Sequence, residues 1–114
     1  MAQGYVPSKG DIVWLEFSPQ AGQEQAGHRP ALCISPKEYN EKVGLAIFCP
    51  ITSHRKGYPF EVILPAATKI TGVVLSDHVK SFDWKARKAN YICTLPNKQL
   101  KEVLGKLRAL LQIE

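Results

Sequence analysis

Two short polar segments contain the side chains of this chain that are best suited to chemistry. Residues 22–30 contain Glu24, His28 and Arg29, and residues 50–60 add hydroxyls, a histidine and a lysine. Each segment contains glycine and adjoins an apolar run, so we expect loops at the ends of strands, where functional residues concentrate. A guanidinium, a carboxylate, imidazoles and hydroxyls are together the groups needed to bind and cleave a phosphodiester.

Arg29 is the first candidate catalytic residue. It stands directly before Pro30, and a residue in that position favours an extended backbone. A guanidinium does not act as a base at neutral pH, but it can grip two phosphate oxygens and stabilise the charge of a pentacovalent phosphorus. The alternatives are a plain surface arginine or a salt bridge to Glu24.

Thr52 and Glu24 are the other two catalytic candidates. Thr52 follows Pro50 at a predicted strand end, and its hydroxyl can donate to a phosphate oxygen. Without an adjacent base it is a poor nucleophile, so we predict a positioning role, with turn capping as the alternative. Glu24 is the only carboxylate in residues 18–28. It could accept the proton of a ribose 2′-hydroxyl, although Arg29 nearby would weaken it as a base.

Cations and aromatic residues alternate later in the chain, in a pattern typical of single-stranded RNA binding. Cations neutralise phosphates while aromatic rings stack on bases. The predicted RNA contacts are His28, Ser53, Lys56, Tyr58, Lys80, Lys85 and Arg87. Core packing is the alternative for each aromatic residue, and it is favoured for Trp14 and Phe60, whereas Phe82 and Trp84 lie among the cations. For His78, which follows Asp77, we expect a structural contact with that carboxylate instead of catalysis.

Length, charge and cysteine usage limit the class of protein. A chain of 114 residues predicts a single domain, residues 1–114, and the net charge of +5 favours an anionic partner. The three cysteines show no Cys-x-x-Cys spacing and are expected to be reduced and buried. No His or Cys pair has ligand spacing, so we expect no metal and no cofactor. Without an apolar span or a signal peptide, we expect a cytoplasmic protein and no membrane partner.

Short strands dominate the predicted elements. Strands are expected at residues 12–17, 31–34, 45–49, 60–64, 72–75 and 77–82, with Pro50 ending the third and residues 18–28 forming a long loop. A capping box of Ser35 and Glu38 predicts a short helix that Gly44 stops. Pro96 begins a final helix, whose apolar stripe runs from Leu100 to Leu111. We expect that stripe to pack on the strands and the lysines, including Lys106, to form the solvated face. The pattern predicts a strongly bent antiparallel sheet.

The order of motifs resembles the MazF/PemK family of toxin endoribonucleases. Gly-His-Arg-Pro-Ala occupies residues 27–31, Pro-x-Thr residues 50–52 and Lys-Gly-Tyr-Pro-Phe-Glu residues 56–61. Gly-Asp-Ile-Val-Trp at residues 10–14 is similar to the opening strand of the family, and Asp-His-Val-Lys-Ser at residues 77–81 to its late strand. The likeness covers nearly the whole chain.

This resemblance implies a mainly β fold with short helices: a small SH3-like barrel of antiparallel strands plus a C-terminal helix, as in MazF and CcdB, assembled as a homodimer. It also implies a toxin that inhibits translation and growth by cutting single-stranded RNA, including mRNA, without a metal. The 2′-hydroxyl would attack to give 2′,3′-cyclic phosphate and 5′-hydroxyl ends, with Arg29, Thr52 and Glu24 as catalytic positions. The implied partner is a cognate antitoxin with an acidic disordered tail.

Two other functions are compatible with such a fold. Some proteins of this shape inhibit DNA gyrase without enzymatic activity, through their final residues. An SH3-like module could also bind only proline-rich peptides, but such a module needs an aromatic groove with acidic residues, whereas the loops of this chain are basic. Arg29 with Thr52 favours the nuclease.

Overall fold

Seven strands and two helices follow one another along residues 4–17 and 27–113, the part of the chain that the computed structural model describes. The strands are β1 (Asp11–Phe17), β2 (Gly27–Cys33), β3 (Ala46–Thr52), β4 (Glu61–Ile63), β5 (Val73–Leu75), β6 (Lys80–Phe82) and β7 (Asn90–Thr94). The helices are α1 (Lys37–Val43) and α2 (Asn97–Leu111).

All strand pairings are antiparallel, and neighbouring strands follow the order β4-β5-β3-β2-β1-β7, with β6 also on β3. Within the described residues, this path of pairings runs from β4 to β7 without closing into a ring. The predicted class, a small barrel-like antiparallel sheet with a C-terminal helix, is confirmed.

The central strand β3 changes neighbours along its length. On one edge it pairs with β2 through residues 48–50; on the other it pairs with β6 through residues 46–48 and with β5 through residues 51–52. Pro50 was expected to end this strand, and that prediction is wrong. Pro50 lies between Phe48, the last residue paired with β6, and Ile51, the first residue paired with β5. On that edge of β3, its missing N–H therefore removes no hydrogen bond from either pairing.

The sheet buries apolar side chains on both faces. Successive residues of β1 point to opposite sides, so Ile12 joins a core with Leu32 and Val103 of α2, whereas Val13 joins a second core with Phe48. Trp84 also belongs to this second core, is 7% exposed and donates its indole N–H to a backbone carbonyl 3.0 Å away. It therefore packs inside and is not available for base stacking.

The loop before α1 differs from the predicted capping box. Pro36 is the N-cap residue and makes no side-chain cap hydrogen bond. The Ser35 hydroxyl instead donates to the side chain of the buried Asn40 and accepts the backbone N–H of Ile47 at 2.9 Å. It therefore ties α1 to β3. Gly44 ends α1 with a φ of 84°, as predicted.

Three further strand boundaries depart from the sequence pattern. β7 was missed, because the Asn and Thr at its ends resemble a loop and only Ile92 is buried. β6 begins at Lys80, so Asp77 lies in the preceding turn. β2 already begins at Gly27, which removes two residues from the predicted loop of residues 18–28.

The final helix begins after Pro96, as predicted, but its apolar stripe is only partly covered. Val103 is buried, whereas Leu110 and Leu111 near the C-terminus are 45% and 56% exposed. Lys106 is not purely solvated, because its ammonium donates to the Pro59 carbonyl at 2.7 Å. Among residues 4–17 and 27–113, neither helix has the length and apolar character that a membrane span requires.

The burial of two cysteines predicts their reactivity. Cys33 and Cys49 are fully buried, and burial raises the pKa of both thiols, that of Cys49 to about 12. The thiolate is the reactive form, so neither should react in the folded protein, whereas the half-buried Cys93 should react first. Titration with a chromogenic disulfide at pH 8 should therefore show one fast thiol, which Cys93→Ser removes. Fast reaction of a second thiol in folded protein would contradict this burial.

Candidate functional site

Arg29 and Thr52 lie two residues beyond the last pair that joins β2 to β3. Ala31 pairs with Pro50, and in an antiparallel pair each step back along β2 is a step forward along β3. Two steps from that pair reach Arg29 and Thr52. Both residues line a groove of about 600 Å³, which we call the central groove; His78, Lys80 and Arg87 line it with them.

The central groove has the charge expected of an anion site. Arg29, Lys80 and Arg87 are cationic, and the described residues that line the groove include no Asp or Glu. Apolar walls from Phe17, Phe82 and neighbouring residues surround the cations. Like charges focused between apolar walls attract an oppositely charged ligand, so phosphate is a suitable occupant.

The backbone around Thr52 is held by a close contact with a glycine. A Cβ atom on Gly72 would lie 2.4 Å from the Thr52 carbonyl oxygen, and the φ of Gly72 is 131°. The Thr52 hydroxyl accepts the backbone N–H of His54 at 3.1 Å. The turn-capping contact therefore exists, but a hydroxyl that accepts one bond keeps its own proton for donation. Thr52 can cap the turn and still donate to a phosphate oxygen.

Arg87 is a fixed cation at the far wall of the central groove. Its guanidinium carbon lies 4.5 Å from the Phe17 ring centre and 4.9 Å from that of Phe82. One of its nitrogens, Nη1, also donates to the Glu16 carbonyl at 3.3 Å. The contact between cation and ring faces stabilises this position, so the predicted phosphate contact is already oriented.

Lys85 does not join this group. Its ammonium lies 6.0 Å from the Trp84 ring centre, and it is not among the residues that line the grooves around Thr52. Lys88 turns instead toward Glu16, with 3.9 Å between ammonium and carboxylate. The basic run of residues 85–88 therefore separates, and only Arg87 reaches the central groove.

His28 and Ser53 lie on the other side of Arg29 and Thr52, in a groove of about 690 Å³ that also includes Trp14, which we call the Trp14 groove. The His28 ring centre is 5.8 Å from that of Trp14, and its Nε2 is 3.5 Å from the Glu16 carboxylate. His28 is thus held on two sides at a position next to the candidate catalytic pair. Its role as an RNA contact stays a prediction.

Lys56 and Tyr58 line a third groove of about 870 Å³, the Tyr58 groove, which also contains Thr52 and His78. The carboxylate of Glu61 accepts the backbone N–H groups of Lys56 and Gly57 at 2.8 and 2.9 Å, and this fixes their loop.

A hydrogen-bonded group of three side chains crosses the wall of the Tyr58 groove. The Tyr58 hydroxyl donates to Asp77 at 2.7 Å, and chiefly this bond raises the pKa of Tyr58 to about 12. His78 Nε2 lies 3.4 Å from the Tyr58 oxygen and 3.8 Å from the carboxylate. The predicted contact between Asp77 and His78 is present. His78 lines two grooves together with Thr52, and this position was not predicted. The sequence pointed to His78 only through the Asp-His pair that precedes Lys80.

Two further predictions concern Glu24 and a metal site. Glu24 lies outside the described residues, so its place relative to Arg29 stays a prediction. Within residues 4–17 and 27–113, no three His, Cys, Asp or Glu side chains are grouped to hold a metal. The side chains that do converge can bind phosphate oxygens and donate hydrogen bonds to them.

Similar proteins share both the sequence and the fold. The chain is 44% identical over 111 residues to the endoribonuclease toxin MazF of Escherichia coli strain K12, covering 97% of this chain and 99% of that protein. It is 34% identical over 107 residues to endoribonuclease PemK of Escherichia coli, covering 90% and 80%. A MazE–MazF crystal structure from Deinococcus radiodurans superposes with a TM-score of 0.92 at 54% identity, covering 96% and 99%.

The resemblance seen in the sequence motifs is confirmed by these matches. Residues 8–111 also match the family described as PemK-like, MazF-like toxins of type II toxin–antitoxin systems. The chain therefore belongs to that family.

Proposed function

We propose that this chain is the toxin of a toxin–antitoxin pair and an endoribonuclease that cuts single-stranded RNA, including mRNA, in the central groove. The observation that carries the proposal is that Arg29 and Thr52 line one groove, whose described lining contains three cations and no carboxylate. Relatives that are 34–44% identical and are named endoribonucleases support it, and they favour it over gyrase inhibition.

The chemistry we propose uses the ribose 2′-hydroxyl as the nucleophile. Its oxygen bonds to the adjacent phosphorus while the bond from phosphorus to the 5′-oxygen breaks, which leaves a 2′,3′-cyclic phosphate and a 5′-hydroxyl. Arg29 grips the non-bridging oxygens and Thr52 donates to one of them, so both stabilise the charge that grows on the phosphorane. The proton of the 2′-hydroxyl passes to a base, for which Glu24 is the candidate.

The RNA would cross all three grooves, because Thr52 lies where they meet. Lys80 and Arg87 would neutralise phosphates in the central groove. The remaining proposed contacts are His28 and Ser53 in the Trp14 groove, Lys56 and Tyr58 in the Tyr58 groove, and Lys85 beyond them.

We also propose two protein partners. A cognate antitoxin would use an acidic, disordered tail to compete with RNA for the basic grooves. The Deinococcus radiodurans relative was crystallised as a MazE–MazF complex.

A second copy of the chain would form a homodimer. Exposed apolar side chains support this proposal, for example Leu111 and Ile113, which are 56% and 58% exposed. Sedimentation at micromolar concentration should show the dimer mass, and a monomer would contradict it. We place the activity in the cytoplasm, where mRNA is translated.

Removal of either proposed phosphate ligand should abolish most cleavage. Arg29→Ala and Thr52→Ala should each lower the single-turnover rate by about 100- to 1,000-fold, the usual effect of losing one donor to a developing oxyanion. Thr52 ends β3 and Arg29 is the third residue of β2, and neither belongs to the two cores, so circular dichroism should show an unchanged fold. Thr52→Ser keeps the hydroxyl and should retain far more activity than Thr52→Ala. Near-normal cleavage by folded Arg29→Ala would refute the mechanism.

The identity of the nucleophile predicts a dependence on the substrate sugar. An RNA with a single 2′-deoxyribose on the 5′ side of the cut should resist cleavage, while the matched all-ribose RNA should be cut equally well with and without EDTA. The same deoxy substitution one nucleotide away serves as control. Cutting at the deoxy position would rule out attack by the 2′-hydroxyl.

The shared-groove proposal predicts competition and different salt responses. With inactive Arg29→Ala protein, RNA and a synthetic antitoxin tail should exclude each other. Each neutralised phosphate adds about 0.7 to the logarithmic salt slope of single-strand binding, so Lys80→Ala should reduce the RNA slope by about that amount. Antitoxin binding also uses apolar anchors and should weaken less with salt. A ternary complex of toxin, RNA and tail would contradict a common binding surface.

A further inference from the structure

We propose that His78 is the general acid of the reaction, the group that gives a proton to the departing 5′-oxygen. This inference rests on the proposed ribonuclease function, because it assigns a further catalytic residue to the same site. His78 lines the central groove together with Arg29 and Thr52, and it lines the Tyr58 groove together with Thr52. It is therefore at the wall where a phosphate held by Arg29 and Thr52 would meet the next nucleotide.

The contacts around His78 underlie the ring assignment that we propose. The Tyr58 hydroxyl gives its own proton to Asp77 at 2.7 Å. Its oxygen can then accept from the imidazole, whose Nε2 lies 3.4 Å away. In the proposal, Nε2 carries the proton that faces Tyr58, and Nδ1 is the nitrogen that gives a proton to the substrate.

The carboxylate of Asp77 also lies beside the ring. Its Oδ1 lies 3.8 Å from His78 Nε2, and the His78 side chain is 55% exposed. The ring can thus reach a leaving group and take a new proton from water after each turnover. The ionisable groups that share the two grooves with His78 are Arg29, Lys80 and Arg87 in the central groove and His54, Lys56, Tyr58, Glu61 and Asp77 in the Tyr58 groove.

The proposed step balances as follows. The 2′-oxygen forms its bond to phosphorus and loses its proton to the base proposed above. The electron pair of the breaking bond from phosphorus goes to the 5′-oxygen, which takes the Nδ1 proton of the imidazolium. His78 is left neutral, and solvent restores its proton. Tyr58 and Asp77 position the ring and exchange no proton with the substrate.

The direct test replaces the bridging 5′-oxygen at the cut by sulfur. A thiolate is a far weaker base than an alkoxide, so it leaves without protonation and makes a general acid unnecessary. On the oxygen substrate, His78→Gln should lower the single-turnover rate by about 100-fold or more, the usual contribution of a general acid. On the sulfur substrate, the same variant should cut within a few-fold of the wild-type rate. Equal losses on both substrates, or no loss on the oxygen substrate, would overturn the assignment.

Two variants serve as matched controls. Thr52→Val removes a proposed phosphate ligand and should slow both substrates by a similar factor, because sulfur does not replace that hydrogen bond. His54→Gln removes another imidazole that borders the Tyr58 groove and should keep the wild-type ratio of sulfur to oxygen rates. If sulfur rescues Thr52→Val as fully as His78→Gln, the rescue is not specific to a lost acid, and the proposal fails.

The pH dependence of the wild type gives a test that needs no variant to fold. An acid must carry its proton, so the rate on the oxygen substrate should fall as pH rises and the imidazolium is lost. This decrease in rate at alkaline pH should be absent on the sulfur substrate. If it persists there, it comes from a group other than His78, and the proposal is contradicted. Failure of the proposed function would look different, because the wild-type protein would then not cut the oxygen substrate at all.

Discussion

The antiparallel register between β2 and β3 is the constraint on which the site depends. Leu32 pairs with Cys49 and both point into one core, whereas Cys33 and Phe48 form the next pair and point into the other. A slip of one residue would turn each of these side chains to the wrong face, so burial on both faces holds the register. The last pair of this register, Ala31 with Pro50, lies two residues from Arg29 and Thr52, so packing in the cores sets where both residues enter the central groove.

The site stays basic because the nearby carboxylates are already engaged by the protein. Glu61 binds two backbone N–H groups, Asp77 accepts the Tyr58 hydroxyl, and Glu16 lies beside His28 and Lys88. These contacts organise loops and rings near the central groove, and the described part of its lining contains no carboxylate. On the proposed function, an RNA phosphate would therefore meet cations and little local repulsion, which is the condition for stabilising a phosphorane.

The sequence predicted those features that local chemistry determines. Gly44 as a helix stop and the final helix after Pro96 both follow from residue type and order. Features that depend on neighbours in space were not predictable: Pro50 is tolerated because β3 changes partners there, and Trp84 is buried by elements far away in the chain. The cationic side chains of residues 85–88 lie apart for the same reason, because each of them contacts a different neighbour in the folded chain. The catalytic roles of Arg29, Thr52 and Glu24 remain predictions for experiment.

The most direct measurement of the central claim is the mass of the first product formed in water labelled with heavy oxygen. The account predicts that the RNA supplies its own nucleophile, so the upstream fragment should end in a 2′,3′-cyclic phosphate that contains no heavy oxygen, and the downstream fragment in a 5′-hydroxyl. A first product that carries heavy oxygen on its phosphate, or a downstream fragment with a 5′-phosphate, would show attack by water and contradict the account.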